Sequence, residues 1–261
     1  ICIERVLIAV RDLERSRGSW RAAGFAVSPD IRDSEGFQFV RLAAGAVAID
    51  LCARSEVSAD PLSSAIGSVA ENGGGIAGWV WGARGVEDGT QSAEWVELPN
   101  GNGSLSARIL TRPLPGTVTA VVETSSDQAA RREALVARCG ANPNTVDYLE
   151  HIVVMTPELE EAIAAHEAIG VPCKRIREAG GGMRQAFFKL EQTVIEVVGP
   201  ARDRAGGWGL AFMCSNIGKA VSVAREAGLQ ATEPKSAIQG GRIARIVDPI
   251  DNVAVAFMQP A

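Results

Sequence analysis

The chain has 261 residues, of which 46% are hydrophobic, and carries a formal net charge of −5 at pH 7. This length and composition favour a globular protein with one large domain or two small ones. The acidic balance and the lack of a Lys/Arg cluster exclude a nucleic-acid surface, and the longest apolar runs are far shorter than the roughly 20 residues that span a bilayer.

The cysteines indicate a reducing compartment. They are odd in number, widely spaced and mostly set among apolar residues, and no CxxC pair is present to hold zinc. The opening ICIERVLIAV already has the pattern of a strand and shows no signal peptide. We therefore expect a cytoplasmic protein with reduced thiols at Cys2, Cys52, Cys139, Cys173 and Cys214.

The first segment, residues 1–57, predicts a strand, a helix and three further strands. The apolar run IERVLIAV ends near Asp12, an acidic residue suited to a helix N-terminus, and the helix stops at Gly24. The stretches FAVSPD, GFQFVRLA and GAVAIDLCA then alternate as strands do. This order of elements, βαβββ, is the unit from which the rest of the chain is interpreted.

A weaker copy of this unit occupies residues 73–124. It opens with the strand-like GGGIAGWVWGA, passes through a short and poorly helical middle, and ends with ELPNGNGSLSARIL. Residues 125–147 are polar and helix-forming before a Pro-Asn turn. We predict that they link two halves of the protein, 1–124 and 148–261.

A third copy, residues 148–200, repeats the first without a gap when the numbering is shifted by 146 residues (151 − 5). Its strand and helix hold both histidines of the chain. The helix position of His166 normally packs against the sheet, so we interpret this histidine as structural. The equivalent residues are Arg5 and His151, Trp20 and His166, Gly24 and Gly170, and Asp50 and Glu196.

A fourth copy, residues 207–261, aligns with the third at a shift of 58 residues (228 − 170) and ends in RIARIVDPIDNVAVAFM. Four βαβββ modules predict an α+β fold, because one module cannot cover both faces of its sheet and must pair with another. Two pairings are open for the third module. It faces either the fourth module or the second, and in the latter case Trp79, Trp81 and Ser104 would border His151.

Two stretches resemble module openings of the vicinal oxygen chelate superfamily, which includes glyoxalase I, methylmalonyl-CoA epimerase, extradiol dioxygenases and bleomycin-resistance proteins. They are IERVLIAVRDLERSRGSWRAAGF and LEHIVVMTPELEEAIAAHEAIGV. The later VDPIDNVAVAF is similar to the turn before the last strand in that superfamily. The resemblance implies two glyoxalase-like domains, each of two modules paired around a cleft, and leaves a homodimer open. It does not imply one reaction, because this fold hosts many.

The resemblance also implies positions for a divalent metal. Family ligands come from the first strand, usually a His, and from the last strand, usually a Glu, which here correspond to His151 and Glu196. These donors suit Mn, Fe, Co, Ni or Zn. The 58-residue shift places Gly209 and Ala254 at the matching positions of the fourth module, so only half a site is expected. The alternative is a metal-free pocket in which His151 and Glu196 bond each other.

Two functions from different classes follow from the resemblance. The favoured one is a lyase or isomerase that moves a proton next to the carbonyl of a small organic molecule, with Glu196 as metal ligand or general base. The other is a binding protein of the resistance type that needs no metal. An extradiol-type dioxygenase is less favoured, because it needs two His and one carboxylate. The expected substrate-binding residues are Met155, Arg184, Gln185, Phe187, Trp208 and Phe212.

Overall fold

The computed structural model describes residues 1–28, 32–34, 37–54, 61–83, 92–100, 103–110, 117–123, 126–202, 205–238 and 240–261. Within these ranges the chain forms two eight-stranded sheets and five helices. The helices are α1 (Leu13–Ala22), α2 (Pro61–Glu71), α3 (Ser126–Cys139), α4 (Leu159–Ala168) and α5 (Ile217–Glu226). Of these, none is long and apolar enough to cross a membrane.

Each half of the chain contributes one sheet. The strands of the N-terminal sheet are β1 (Cys2–Ala9), β2 (Arg32–Ser34), β3 (Phe37–Ala44), β4 (Val47–Arg54), β5 (Gly75–Ala83), β6 (Ser92–Asn100), β7 (Gly103–Leu110) and β8 (Val118–Glu123). Those of the C-terminal sheet are β9 (Val146–Met155), β10 (Arg175–Gly180), β11 (Met183–Leu190), β12 (Thr193–Gly199), β13 (Gly206–Cys214), β14 (Lys235–Ser236), β15 (Arg242–Arg245) and β16 (Ala254–Gln259).

The two sheets have the same topology. The N-terminal order is β2-β3-β4-β1-β5-β8-β7-β6 and the C-terminal order is β10-β11-β12-β9-β13-β16-β15-β14. Within each module the first and last strands pair in parallel, and the two first strands of a sheet pair antiparallel. This confirms the predicted α+β fold of βαβββ modules paired into two domains. The third module pairs with the fourth, and Trp79 and Trp81 lie in the other sheet.

Local sequence explains where the helices begin and end. The Asp12 side chain accepts a hydrogen bond from the Arg15 amide and so caps α1. Gly24 and Gly170 follow α1 and α4 with φ of 84° and 79°, a left-handed conformation that glycine adopts without strain. The predicted linker contains α3.

One face of each sheet packs into a core that the two halves share. Trp20 of α1 lies edge-on to Phe212 of β13, with ring centroids 6.4 Å apart. His166 of α4 stacks on Phe188 at 4.1 Å and meets Trp81 of β5 edge-on. His166 is therefore part of the core, as the repeat predicts. We call the opposite face of each sheet its cleft face.

The cleft face of the N-terminal sheet is covered by α2. Leu62, Ile66 and Ala70 of this helix form a second core with side chains of that face, including Leu7 and Phe39. The sequence PLSSAIGSVAE places these apolar residues four apart, on one side of a helix. No covering helix lies on the cleft face of the C-terminal sheet in the described part of the chain.

Two details differ from the sequence-based expectation. The second strand was expected at FAVSPD, but residues 25–28 are not in a strand and β2 comprises Arg32–Ser34. Helix α2 lies before the second module, in a segment for which no element was predicted. The poorly helical middle of that module falls in residues 84–91, outside the described residues. The five cysteines are free, and four are buried.

Candidate functional site

His151 and Glu196 lie on neighbouring strands of the C-terminal sheet and point to its cleft face. In the parallel pair of β9 and β12, His151 is opposite Val194 and Glu196 is opposite Val153. The flanking residues Ile152 and Ile195 belong to the shared core. Because side chains alternate along a strand, His151 and Glu196 share the other face.

The pseudo-twofold axis of the C-terminal sheet identifies the matching positions in the fourth module. The axis passes between Ile152 and Leu210, which are opposite each other and equivalent. On either side of them, His151 is opposite Ala211 and Val153 is opposite Gly209. The axis exchanges these two pairs, so Gly209 is the equivalent of His151. Gly209 pairs with Ala254 in the way that His151 pairs with Val194.

The equivalent of Glu196 therefore lies two residues beyond Ala254, at Ala256. The expectation that Ala254 holds this position is wrong, because the last strand is shifted by two residues relative to the 58-residue offset. The strand register of the N-terminal sheet is the same. In its second module, Gly78 occupies the position of Gly209 and Ala120 occupies the position of Ala256.

These positions do not fit a metal of the family type. A Cβ built on Gly209 would lie 2.8 Å from the Ala254 carbonyl oxygen and 3.0 Å from the Ala254 Cβ, so no side chain fits there without a backbone shift. Ala256 offers no donor. Among the described residues no group of three His, Cys, Asp or Glu side chains could hold a metal ion. His151 and Glu196 are thus two donors without the partners that a divalent metal needs.

The Glu196 carboxylate is held by an amide. Gln185 of β11 donates its side-chain N–H to Glu196 Oε1, and Arg177 of β10 donates to Gln185 Oε1 at 2.9 Å. Burial raises the pKa of Glu196 above its usual value, while the positive charge of Arg177 and the bond from Gln185 pull the pKa in the other direction. The result is a half-buried carboxylate that is oriented and has an increased affinity for a proton.

His151 is a neutral imidazole at the floor of the same face. Burial, followed by the nearby Lys189 ammonium, lowers its pKa to about 4. Its Nδ1 contacts the carboxylate of Glu150, and the Glu196 carboxylate is bonded to Gln185. The alternative in which His151 and Glu196 bond each other is therefore not seen, because each side chain has a separate partner.

The equivalent position in the first module carries a different arrangement. Arg41 donates two hydrogen bonds of 2.6 Å to Asp50, and Arg5 lies 3.7 Å from the same carboxylate. Burial, followed by the nearby Arg41 charge, lowers the pKa of Arg5 to about 10. Asp50 is 1% exposed and lies on the face that α2 covers. Asp50 therefore belongs to a buried ion cluster with Arg5 and Arg41.

The predicted substrate-binding residues divide between the two faces. Met155, Gln185 and Phe187 are on the cleft face, and Trp208 is 39% exposed at a bulge of β13. Arg184 points to the opposite face, where it forms an ion pair with Glu160 of α4. Phe212 is fully buried in the shared core.

The assignments of Arg184 and Phe212 to substrate binding are corrected for one reason: strand alternation turns both residues away from the cleft. Arg175 and Arg177 of β10 provide cations there instead, since their guanidinium groups lie over the Phe187 ring at 5.2 and 5.7 Å. The alternating RIRE sequence could have identified them. Asp251 of the turn before the last strand has a role in the fold, because it accepts hydrogen bonds from Ser16 and Trp20 of α1.

Solved structures share this fold over almost the whole chain. A variant of 4-hydroxymandelate synthase from Streptomyces coelicolor aligns at 14% identity and a TM-score of 0.67, covering 99% of this chain and 92% of that one. A xylose isomerase-like TIM barrel/4-hydroxyphenylpyruvate dioxygenase fusion protein aligns at 13% identity and 0.66, covering 99% of this chain and 49% of its own. At these identities the likeness establishes the fold and not the reaction.

A further similarity covers less than half of the chain. Methylmalonyl-CoA epimerase from Mycobacterium tuberculosis aligns with 45% of this chain and 90% of its own, at 20% identity and a TM-score of 0.39. No family model matches the sequence, and no curated protein matches it.

Proposed function

We propose that this chain, which has the fold of the vicinal oxygen chelate superfamily, binds a small organic carbonyl compound on the cleft face of its C-terminal sheet and moves a proton next to the carbonyl. Glu196 is the general base of this proposal. The reaction class is that of a lyase or isomerase, and no resident metal takes part.

The contrast between Glu196 and Asp50 carries the proposal. The two carboxylates occupy the same position in the third and first modules. Asp50 is bonded to Arg41, lies close to Arg5, and is on the face that α2 covers, whereas Glu196 is bonded to the neutral Gln185 on a face that no described helix covers. Of the two carboxylates, only Glu196 lies on an uncovered face and is able to accept a proton without breaking an ion pair.

The surroundings of Glu196 suit proton abstraction. Burial raises its pKa, which brings the carboxylate closer to the value at which a base works well near neutral pH. Gln185 fixes one carboxylate oxygen and leaves the other to face a substrate C–H bond. When that bond breaks, negative charge moves to the carbonyl oxygen, and the Arg177 guanidinium is a cation on the same face that can stabilise it.

The second candidate is a binding protein of the resistance type. The observation that favours it is the absence of donors at Gly209 and Ala256, because sequestration of a ligand needs neither a metal nor a base. A dioxygenase is not proposed, since two His and a carboxylate are not brought together on this face. A homodimer and a cytoplasmic location stay predictions.

Solvent exchange tests the proposal directly. A panel of 2-oxo acids, hydroxyketones and acyl thioesters is incubated with the protein in D₂O, and loss of the C–H signal next to the carbonyl is followed by proton NMR. We expect exchange above the uncatalysed rate with at least one compound, and a loss of about 100-fold or more in Glu196→Gln. Glu178→Gln, an exposed acid on the opposite face of β10, is the matched control and should exchange at the wild-type rate.

The outcomes separate the two candidates. Full exchange activity in Glu196→Gln would disprove the role of this residue as base. Saturable binding of panel compounds without any exchange would favour the binding protein.

A further inference from the structure

We infer that the ligand of this site is an organic anion with a bulky apolar body, its carboxylate or phosphate held by Arg175 and Arg177 and its body packed against the apolar surface that includes Met155 and Met183. The inference rests on the proposed function for the location of the site. It adds the chemical class of the ligand.

Positive charge dominates the cleft face of the C-terminal sheet, although the chain as a whole carries a net charge of −5. Strand register also places cations on the other side of Glu196. Arg245 is opposite Ala256, and Lys235 is opposite Ile243, which is itself opposite Met258. Ala256 and Met258 face the cleft, so Arg245 and Lys235 do too. A cleft lined by one sign of charge attracts ligands of the other sign. The charged side chains of this face are Arg175, Arg177, Lys189, Lys235 and Arg245, with Glu196 and the Glu150 carboxylate at its floor.

The two arginines of β10 are available to a ligand. Both guanidinium groups lie over the Phe187 ring, which holds them on the cleft side. Arg177 donates to the neutral Gln185, and neither arginine forms an ion pair with a carboxylate of the described residues. Arg184 of the next strand, in contrast, is paired with Glu160. Two unpaired guanidinium groups side by side match the geometry of a carboxylate or phosphate.

The methionines of the chain contribute to the apolar part of the face in two pairs, with Met155 and Met183 at the end near Arg177 and Met213 and Met258 at the other end. The chain contains four methionines, and all four are half-buried on this face. Methionine is flexible and polarizable, so the pair beside the arginines can adapt to the shape of an apolar group. Neighbouring side chains of a strand point to opposite faces, and three of the methionines follow a residue of the shared core. These core residues are Val154 before Met155, Phe212 before Met213 and Phe257 before Met258. The four residues are Met155 of β9, Met183 of β11, Met213 of β13 and Met258 of β16.

The position of the methionines gives a specific experiment. With [methyl-¹³C]methionine labelling, every labelled methyl group of the chain lies on the cleft face, so the spectrum reports on this surface alone. The probes are 4-phenylbutyrate, 3-phenylpropyl phosphate and the uncharged 4-phenylbutyramide, each titrated into the full chain. We expect saturable shifts of the methyl signals with the two anions, and binding of the amide weaker by about tenfold.

Two variants locate the anion. Arg177→Ala should weaken binding of the preferred anion by about tenfold, while Arg184→Ala, which removes the same charge from the other face, should leave it unchanged. A preference for carboxylate or for phosphate identifies the ligand group. Equal affinity for the amide and the anions would overturn the inference, and so would an absence of shifts with all three probes.

The inference and the proposed function can fail separately. Methyl shifts report binding whether or not a proton is moved. Deuterium exchange with neutral carbonyl compounds, combined with no preference for anions, would retain Glu196 as the base and reject the anionic ligand. Binding of anions without exchange would retain the anionic ligand and reject Glu196 as the base.

Discussion

Asp50 and Glu196 occupy the same position in two copies of one module, yet two arginines contact the first and one amide holds the second. In the N-terminal sheet the carboxylate has become part of a buried ion cluster beneath α2. In the C-terminal sheet the carboxylate is half-buried on a face without a described covering helix. One position of the repeated module thus has a structural use in one domain and a proposed chemical use in the other.

This difference predicts opposite effects of the same chemical change. Asp50→Asn leaves the buried Arg5 and Arg41 without their counterion, and we expect the free energy of unfolding to fall by about 3–5 kcal/mol. Glu196→Gln removes a charge whose burial is unfavourable, so its cost should be below about 1 kcal/mol. Urea unfolding at pH 7 measures both. Equal destabilisation by the two variants would contradict the assignment of separate roles.

Helix α2 should contribute to stability and not to the activity of the C-terminal site. Ile66 is fully buried against the cleft face of the N-terminal sheet, so Ile66→Ala should lower the free energy of unfolding by about 2–5 kcal/mol. Val69→Ala, at a partly buried position of the same helix, is the control and should cost less. Folded Ile66→Ala protein should retain wild-type deuterium exchange. A lost activity would show that the N-terminal sheet takes part in the reaction.

Much of the fold follows from the sequence because the modules repeat without a gap. The equivalences of Arg5 with His151 and of Asp50 with Glu196 hold in the strand register, and the glycine after each of α1 and α4 has the left-handed conformation that its position predicts. Helix α2 was not predicted, since it has no counterpart in the repeat and only its own apolar spacing indicates it.

The site was harder to predict because its residues depend on which face of a strand they occupy. Arg184 and Phe212 are one position away from cleft residues, and a single step along a strand turns the side chain to the other face. The bulges in β9 and β13 shift this alternation further. Sequence alone therefore identified the strands of the site and only some of its side chains.

A hydrogen-bonded link between the first and fourth modules should stabilise the chain. Asp251 accepts a 2.7 Å bond from the Ser16 hydroxyl and a 3.0 Å bond from the Trp20 indole. Asp251→Asn tolerates the left-handed φ of 49° but loses the charge, and we expect a cost of about 1–2 kcal/mol in urea unfolding. Asp248→Asn, an exposed acid in the same turn, should change stability by less than about 0.5 kcal/mol. Equal destabilisation by the two variants would show that the hydrogen bonds of Asp251 do not stabilise the chain.

Buried His166 should make stability depend on pH. Burial lowers its pKa to about 4, whereas an unfolded chain has a histidine pKa of about 6.5. Between these values the unfolded state binds a proton that the folded state does not, so stability is full above pH 6.5 and falls as the pH drops. From pH 7 to pH 5 the loss through this residue is about 2 kcal/mol.

His166→Phe isolates this contribution, because a phenyl ring preserves the stacking on Phe188 and does not titrate. The free energy of unfolding of the variant should fall less between pH 7 and pH 5 than that of the wild type. His151, whose pKa is also lowered to about 4, titrates in both proteins and cancels in the comparison. Identical pH dependence of the two proteins would show that His166 is accessible to protons in the fold.

The missing donors at Gly209 and Ala256 predict a protein that does not retain a divalent metal. After incubation with Mn, Fe, Co, Ni or Zn and removal of free ions, metal content by plasma mass spectrometry should be well below one equivalent per chain. Treatment with a chelator should leave deuterium exchange unchanged, because Glu196 acts as a base and not as a ligand. Near-stoichiometric metal that disappears in His151→Ala would contradict both expectations.

Ala256→Glu provides a gain-of-binding control for the metal measurement. The position is the twofold equivalent of Glu196 and faces the same cleft, so a carboxylate there would join His151 and Glu196 as a third donor. Three such donors are the usual minimum of a protein zinc site with an open position. We expect this variant to retain more zinc than the wild type under identical conditions. Equal and low zinc in both proteins would instead mean that the two donors of the third module are too far from Ala256 to act together.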